Sequence, residues 1–261
     1  MIISENPKFI CFQPWKCGSS TLHRRLKKFD TNRYPQAEYF NEVLGKISHK
    51  HIDLKDFSCL PESHGDYIRF TFVRNPYDRL YSGFLQRRHR LTTNPPKHVL
   101  PEKINEELSF IERGFGDFLE YYLATKGTTI QLCNHVYLND KPAVDFVGFL
   151  ETFEASFSQI CGSIGIHNAD NGNANVRFPE TELSNSLSTA QYRYIDKFDR
   201  RSIDAVNEIF MNDFENLGYR MINPDDLGED RQLIDHNLSP FSGSIMPERQ
   251  GNTLTFDRRS E

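Results

Sequence analysis

The chain has 261 residues, of which 38% are hydrophobic and 26% are charged, and its formal net charge is -5. This length fits one or two domains, and we expect one domain over residues 1–221, followed by a polar C-terminal extension over residues 222–261 that wraps the surface or is partly disordered. No apolar run approaches the roughly 18 residues that a membrane span requires, and the N-terminal sequence lacks the features of a secretion signal. We therefore expect no transmembrane segment and a cytoplasmic protein.

Charge and cysteine usage exclude further classes of protein. Residues 1–100 contain 17 Lys and Arg against 9 Asp and Glu, whereas the remaining residues contain 14 against 27. This asymmetry favours a bound phosphate or sulfate ester in the first part, and the net acidic charge argues against nucleic-acid binding. The five cysteines are an odd number without a C-x-x-C pair, which disfavours both a disulfide framework and a zinc site.

Two strand-turn-helix units follow one another in the first hundred residues. Lys8–Phe12 is an apolar run between prolines and is predicted to be a buried strand, and a helical period begins at Ser20. The second unit has a predicted strand over Tyr67–Arg74 and a helix that starts at Pro76, where a missing N–H costs nothing. Both turns place polar side chains directly after a buried strand.

The rest of the chain continues this alternation. Residues 92–107 are polar with three prolines and predict a surface loop or lid. Phe110–Leu123 is predicted to be a helix interrupted by glycines, Val144–Leu150 a strand, and residues 153–164 and 203–214 two further helices. The order predicts an α/β fold with a mainly parallel central sheet and helices on both faces.

The first turn has the composition of an anion site. A turn between a strand and a helix presents unpaired N–H groups at the positive end of the helix dipole. A lysine, a glycine and hydroxyl residues stand there: Lys16, Gly18, Ser19, Ser20 and Thr21. The complete G-x-x-x-x-G-K-[ST] loop of nucleoside triphosphatases is missing, which disfavours an ATPase. The alternative is a hydroxyl-rich helix cap with a solvated lysine.

The second turn offers a further pair of phosphate-binding groups. Arg74 ends the predicted strand and Ser82 lies eight residues later in the helix, so a guanidinium and a hydroxyl group are available for one phosphate. Arg79 either joins them or faces solvent. An arginine at the end of a strand is also commonly structural.

These residues resemble the sulfotransferases that use 3'-phosphoadenosine 5'-phosphosulfate (PAPS). The stretch PWKCGSSTL is similar to their 5'-phosphosulfate loop, and FVRNPYDRLYSGF is similar to their 3'-phosphate motif. VDFVGFLETFEASFSQICGSIGI and IFMNDFENLGY resemble later segments of the family, so the resemblance covers roughly residues 8–220. It indicates the membrane-type carbohydrate branch, close to the uronyl and heparan sulfate 2-O-sulfotransferases.

The resemblance implies a P-loop fold like that of nucleotide kinases, with PAPS as the donor, 3'-phosphoadenosine 5'-phosphate (PAP) as the product and no metal. The residues 16–21 would then hold the 5'-phosphosulfate, Cys17 among them, with Lys16 also catalytic, and Arg74 and Ser82 would hold the 3'-phosphate. Trp15 departs from the family, which usually has a proline before this lysine. Core packing, stacking on adenine and lining of the acceptor cleft stay open for Trp15.

Two histidines precede the second strand. His49 and His51 are two residues apart, and in an extended segment both side chains would lie on the same side. A histidine can take the proton from an attacking hydroxyl, and the spacing resembles the H-G-H stretch of the uronyl 2-O-sulfotransferases. We therefore expect His51 to be the base and His49 to support it. The alternative is a pair of solvated histidines.

The acceptor is expected to be a hydroxyl-bearing glycan or glycolipid. The basic stretch at residues 86–90 is a candidate for an acidic acceptor, or else a solvated helix end, and Asn175 and Arg177 are candidates near the nucleotide. Two other functions stay open, a small-molecule kinase and a non-catalytic PAP-binding protein. The carbohydrate branch often works in the Golgi lumen behind an N-terminal anchor, but the initial Met1 and the unpaired cysteines favour a bacterial cytoplasmic enzyme.

Overall fold

The computed structural model of the chain describes residues 1–34, 38–60, 64–96, 99–166, 194–226, 248–250 and 253–255. Within these residues the β-strands are β1 (Ile2–Glu5), β2 (Lys8–Phe12), β3 (Tyr39–Asn41), β4 (Lys46–Ser48), β5 (Ile68–Val73), β6 (Tyr137–Leu138), β7 (Lys141–Pro142), β8 (Phe146–Phe149), β9 (Glu248–Gln250) and β10 (Thr253–Thr255). The α-helices are α1 (Ser19–Leu26), α2 (Leu54–Ser58), α3 (Pro76–Thr93), α4 (Pro101–Arg113), α5 (Phe115–Lys126), α6 (Phe153–Ser163), α7 (Arg200–Ile209) and α8 (Met211–Leu217). None of these helices has both the length and the apolar character that crossing a bilayer requires.

The chain divides into two compact units. The first contains Met1–Arg74, Leu132–Ala174 and Phe241–Glu261, and the second contains Asn75–Gln131 and Asn175–Pro240. One domain over residues 1–221 and a surface-wrapping extension after it both stay predictions. Most of residues 222–261 lie outside the described part of the chain, apart from the antiparallel pair β9 and β10 and the first few residues.

The first unit is built on a four-stranded sheet in the order β1-β2-β5-β8. β2 pairs with β5 and β5 with β8 in parallel, whereas β1 pairs with β2 antiparallel. The predicted mixed α/β fold with a mainly parallel sheet is confirmed. The carboxyl ends of the three parallel strands lie at the same edge of the sheet, where ligands of open α/β sheets bind. Residues 13–18, Arg74 and Leu150 follow these strands at that edge.

Alternating strand residues build the core of this unit. One face of the sheet buries Phe9, Cys11, Phe70 and Phe72 against apolar residues of α1 and α6. The period of two sends Phe12 to the opposite face, where its ring meets Phe57 of α2 edge to face at 5.2 Å. Helices therefore cover both faces of this sheet, and their packing holds the ends of β2 and β5 in place.

The described part of the second unit is helical and centres on Tyr77, which is fully buried. The side-chain oxygen of Asn75 caps α3 by accepting from the Tyr77 N–H at 3.0 Å. The Tyr77 hydroxyl donates to the side-chain oxygen of Asn207 in α7 and accepts from the Ile222 N–H at 2.9 Å. One phenol thus joins the start of α3 to α7 and to the chain beyond α8.

The surface loop or lid predicted over residues 92–107 is mostly helical, so that prediction is wrong. α3 continues to Thr93 and α4 begins at Pro101. The prolines indicated a loop, but Pro101 occupies the first turn of a helix, where its missing N–H leaves no bond unmade. The connection is reduced to residues 94–100, of which 97 and 98 lie outside the described residues.

Two predicted helices are each divided in two. The glycine interruption expected in Phe110–Leu123 is found at Gly114, whose φ of 127° is open only to glycine and separates α4 from α5. The helix predicted over residues 203–214 breaks at Phe210 into α7 and α8.

A short hairpin of β3 and β4 precedes the two histidines and is absent from the sequence predictions. Phe40 and Ile47 are cross-strand partners in it. Its turn is closed by Asn41, whose side-chain oxygen accepts from the Leu44 N–H at 3.1 Å, and by Gly45 at φ 62°. Each strand is only three residues long, which leaves little periodicity to read.

Candidate active site

The turn between β2 and α1 is held in a left-handed conformation at two positions. Lys16 has φ 65°, unusual for a residue with a side chain, and Gly18, the N-cap residue of α1, has φ 79°. The Cys17 N–H donates to the Pro14 carbonyl at 3.3 Å, and the Cys17 thiol, fully buried, donates to the Trp15 carbonyl at 3.7 Å. Cys17 therefore uses both of its donors inside the turn.

The N-terminus of α1 is open. No side chain caps it, and its first turn contains no acidic residue. Ser19 and Thr21 are half-buried there and Ser20 is exposed. Uncapped N–H groups at the positive end of the helix dipole, with hydroxyl groups beside them, form an arrangement that accepts an oxyanion.

Two features of this turn favour glycine at position 18. Its φ lies in the region that side chains disfavour, and a Cβ atom there would stand 2.8 Å from Cδ1 of Leu150. Leu150 follows β8, which is separated from β2 by β5, so the side chain reaches this turn across the end of β5. A larger residue at position 18 would have to displace Leu150.

Arg74 lies beside this turn in the same unit. Its Nη1 donates to the main-chain oxygen of Lys16 at 3.2 Å, and its side chain is half-buried. This hydrogen bond holds the peptide group between Cys17 and Lys16, the residue with the left-handed backbone. The structure thus places the Arg74 guanidinium against the main chain of Lys16, which joins the segments that the sequence placed after β2 and β5.

The side chain of His51, in the segment after β4, also binds this turn. Its Nδ1 lies 2.6 Å from the main-chain oxygen of Gln13, the first residue after β2. A carbonyl oxygen only accepts, so Nδ1 carries the proton and Nε2 keeps its lone pair. Burial lowers the pKa of His51 to about 3, and the bond to Gln13 offsets only part of this effect. The ring is therefore neutral at pH 7, with Nε2 as the basic atom.

His49 supports the segment through its ring. The His51 N–H donates to Nδ1 of His49 at 3.0 Å, and the two rings meet edge to face at 5.2 Å. The strand ends at Ser48 and a turn follows, so the segment is not extended through His51. The two imidazoles are adjacent because of this turn.

Ser82 and Arg79 belong to the second unit. Ser82 is half-buried in α3, and its part in a phosphate site stays a prediction. Arg79 neither faces solvent nor is available for a phosphate, because it is 2% exposed, donates to the Ile130 carbonyl and lies over the ring of Phe210. Arg79 stabilises the helices of its own unit.

The basic stretch at residues 86–90 is partly internal. Arg87 makes two hydrogen bonds to the carboxylate of Glu107, which is buried, and lies over the ring of Tyr122. Arg87 is thus a packing residue that joins α3, α4 and α5. Asn175 and Arg177 lie outside the described residues.

Sequence reasoning missed the role of Gln13. Its side chain is fully buried, and its Nε2 donates to the Ser19 carbonyl at 3.1 Å while its main-chain oxygen binds His51. A glutamine directly after a buried strand is the only signal, and it does not reveal a partner 38 residues away. Trp15 is half-buried, so it is not a residue of the closed core.

Comparison with known proteins covers most of the chain. The sequence model described as Sulfotransferase family matches residues 1–220, a range that includes the turn after β2, both histidines and Arg74. No curated protein and no solved structure matches the chain. Because the match extends over far more than half of the sequence, the chain belongs to the sulfotransferase family.

Proposed function

We propose that this chain transfers the sulfuryl group of PAPS to a hydroxyl group of a carbohydrate or glycoconjugate. Membership of the sulfotransferase family supports sulfuryl transfer to a hydroxyl-bearing acceptor in general. One observation supports the specific proposal: Lys16, Arg74 and the neutral ring of His51 are all attached to the turn that opens α1. The turn combines groups for an anionic donor with a base for an acceptor.

The turn fits the phosphosulfate end of PAPS. The open N-terminus of α1 offers N–H groups, and Gly18 lets the backbone approach without a Cβ atom. Lys16 adds a positive charge. Arg74 is proposed to hold the 3'-phosphate, together with Ser82 from α3, because a guanidinium matches phosphate geometry.

His51 is proposed to be the general base. Its Nε2 keeps a lone pair because Nδ1 donates to Gln13. Burial keeps the imidazole unprotonated at neutral pH, and an unprotonated imidazole is the form that accepts a proton. His49 holds the main chain of His51 and is proposed as the supporting residue.

The proposed step is an in-line displacement. The acceptor oxygen forms a bond to sulfur while the bond between sulfur and the 5'-phosphate oxygen breaks, and the acceptor proton moves to Nε2 of His51. Lys16 and the N–H groups of α1 stabilise the charge that develops on the departing phosphate oxygen. The donor leaves as PAP. We further propose a cytoplasmic location, because all five cysteines are free thiols.

Incubation of the protein with PAPS and a panel of glycans, glycolipids and small alcohols tests this proposal. The expected result is the gain of one sulfo group by an acceptor, measured by mass, with formation of one PAP. Phosphate transfer from ATP with magnesium in place of this reaction would identify a kinase. Tight binding of PAP without transfer to any acceptor would identify a non-catalytic nucleotide-binding protein.

A further inference from the structure

The hairpin of β3 and β4 exposes an unusual amount of apolar surface. The described residues include six large apolar side chains that are strongly exposed, and three of them stand within this hairpin. Phe40 is 61% exposed, Val43 59% and Ile47 61%. Single exposed apolar residues are ordinary, but a group on one small element marks a contact surface. These three residues are called the hairpin stripe below.

The hairpin stripe continues into the histidine pair. Phe40 and Ile47 are directly opposite in the antiparallel ladder, so their side chains share one face. Ile47 and His49 are two residues apart, and both are exposed, whereas Ser48 between them is buried. The His49 ring contacts the His51 ring at 5.2 Å. Apolar surface thus leads to the proposed base.

The charges of the hairpin disfavour an acidic occupant. Between residues 38 and 48 the cation is Lys46, and its Nζ is paired with Asp56 at 2.7 Å. Glu38 and Glu42 in the same segment are exposed. On this hairpin a uronic-acid chain or an anionic membrane would meet the exposed carboxylate of Glu42, while the one lysine of the hairpin is already paired. An uncharged apolar group would meet Phe40, Val43 and Ile47.

We propose that the hairpin stripe binds the apolar part of an uncharged amphipathic acceptor, an alkyl or acyl glycoside, whose sugar hydroxyl reaches His51. This inference rests on the proposed function and names its acceptor class. Each methylene group buried on the stripe adds roughly a factor of four in affinity, so burial of two already gives on the order of a tenfold preference.

Matched acceptors test the inference. Methyl and octyl β-glycosides of glucose and of galactose, kept below the micelle concentration, are offered with PAPS, and kcat/KM is compared within each pair. The octyl glycoside is expected to be preferred by about tenfold or more. In the double variant Phe40→Ser with Ile47→Ser, the ratio is expected to fall to within about twofold of one, because two of the three apolar contacts are lost. Leu100→Ser, at a side chain that is 62% exposed in the second unit, is expected to keep the wild-type ratio.

A second readout does not depend on turnover. An octyl glucoside with a diazirine in its alkyl chain is photoactivated with the protein and PAP, and the labelled peptides are mapped. We expect label within residues 38–51, competed by octyl glucoside and not by methyl glucoside, and strongly reduced in the double variant. If this labelling is found but no sugar is sulfated, the proposed function fails while the docking surface stands.

Several results would overturn the inference. Equal sulfation of methyl and octyl glycosides would leave the sulfotransferase proposal intact and remove the acceptor class. Labelling that is spread over other exposed residues would also contradict the proposed acceptor class and leave the sulfotransferase proposal intact. Flotation with phosphatidylserine vesicles that depends on Phe40 would replace the acceptor by a membrane surface. A concentration-dependent dimer that Phe40→Ser abolishes would replace it by a second copy of the chain.

Discussion

The Nδ1 atom of His51 donates to the main-chain oxygen of Gln13 at 2.6 Å. The side chain of Gln13 also binds the Ser19 carbonyl at the start of α1. A single buried residue thus sets the tautomer of the proposed base and holds the helix that opens toward the proposed donor site. The proposed base and the proposed anion site are linked through Gln13, so a displacement of one is expected to displace the other.

The lowered pKa of His51 predicts a pH dependence of stability. Its folded pKa is about 3 against an ordinary value of 6.5, so between these values the unfolded chain binds more protons than the folded one. This contribution to the free energy of unfolding is therefore complete above pH 6.5 and is lost as the pH falls toward 3. Urea unfolding at pH 7.5, 6.0 and 5.0 measures it. His51→Gln is expected to flatten this slope, and His89→Gln, at an exposed histidine of α3, to leave it as in the wild type.

Turnover should depend on the imidazole of His51. His51→Ala is expected to lower kcat by about 10²- to 10⁴-fold, the usual contribution of a positioned general base, with little change in the affinity for PAP. Because the folded pKa is low, kcat/KM of the wild type should stay level from pH 7.5 to below 6.5. A fall of kcat/KM centred on pH 6.5 would contradict a buried neutral base.

A substitution can separate the effect of the Lys16 charge on turnover from the effect of its backbone conformation on stability. Lys16→Gly removes the ammonium group but suits the left-handed backbone, φ 65°, better than lysine does. The variant is expected to lose about a hundredfold or more in kcat and to keep its free energy of unfolding within about 1 kcal/mol of the wild type. Lys27→Ala, at an exposed lysine just after α1, is the control and should keep full turnover. Equal turnover of Lys16→Gly and wild type would remove Lys16 from the mechanism.

The two roles considered for Arg74 predict different effects of Arg74→Ala on nucleotide binding. If Arg74 binds the 3'-phosphate, Arg74→Ala weakens PAP binding by about 10- to 100-fold, as for a hydrogen bond to a charged group, and hardly changes the binding of adenosine 5'-phosphate, which lacks that phosphate. Calorimetry with both nucleotides measures the difference. Equal losses for both ligands would instead assign Arg74 to its contact with the Lys16 carbonyl, as a residue that only positions the turn.

Gly18→Ala should lower the free energy of unfolding by more than the same substitution at another glycine with a left-handed backbone. The left-handed conformation alone costs about 1–2 kcal/mol, and the new Cβ atom would also meet Leu150 at 2.8 Å. Gly165→Ala is the matched control, because Gly165 has φ 76° and nothing within 4 Å of a Cβ atom. Thermal and urea unfolding compare the two variants. In a Leu150→Ala background the excess cost of Gly18→Ala should shrink; equal costs in both backgrounds would show that the contact is unimportant.

The elements around the first turn were readable from sequence because their signals are local. Lys8–Phe12 is both the predicted and the observed strand, since an apolar run between two prolines leaves little choice of boundary. The strand before Arg74 and the helix that begins at Pro76 follow from an apolar run and an N-terminal proline. The sulfotransferase family is also confirmed, because the motifs that carry it are these same turns.

Other features depend on partners that are distant in sequence and leave no local trace. The bond from His51 to Gln13 and the approach of Leu150 to Gly18 join separate strands and connections. Arg87 stands in a stretch with the composition of a solvated helix face, but it is half-buried and pairs with the buried Glu107 on the next helix. Sequence patterns predict which residues are polar, whereas the partner decides whether a polar residue is exposed or internal.

The phenol of Tyr77 joins the matched family region to a residue that lies beyond it. The match ends at residue 220, yet the Ile222 N–H binds the Tyr77 hydroxyl, and Ile222 is 3% exposed. A shortened polypeptide that stops at residue 220 would leave a buried hydroxyl without this donor and would expose the apolar surface that Ile222 covers. The protein used for activity measurements should therefore include Ile222, although the family match ends at residue 220.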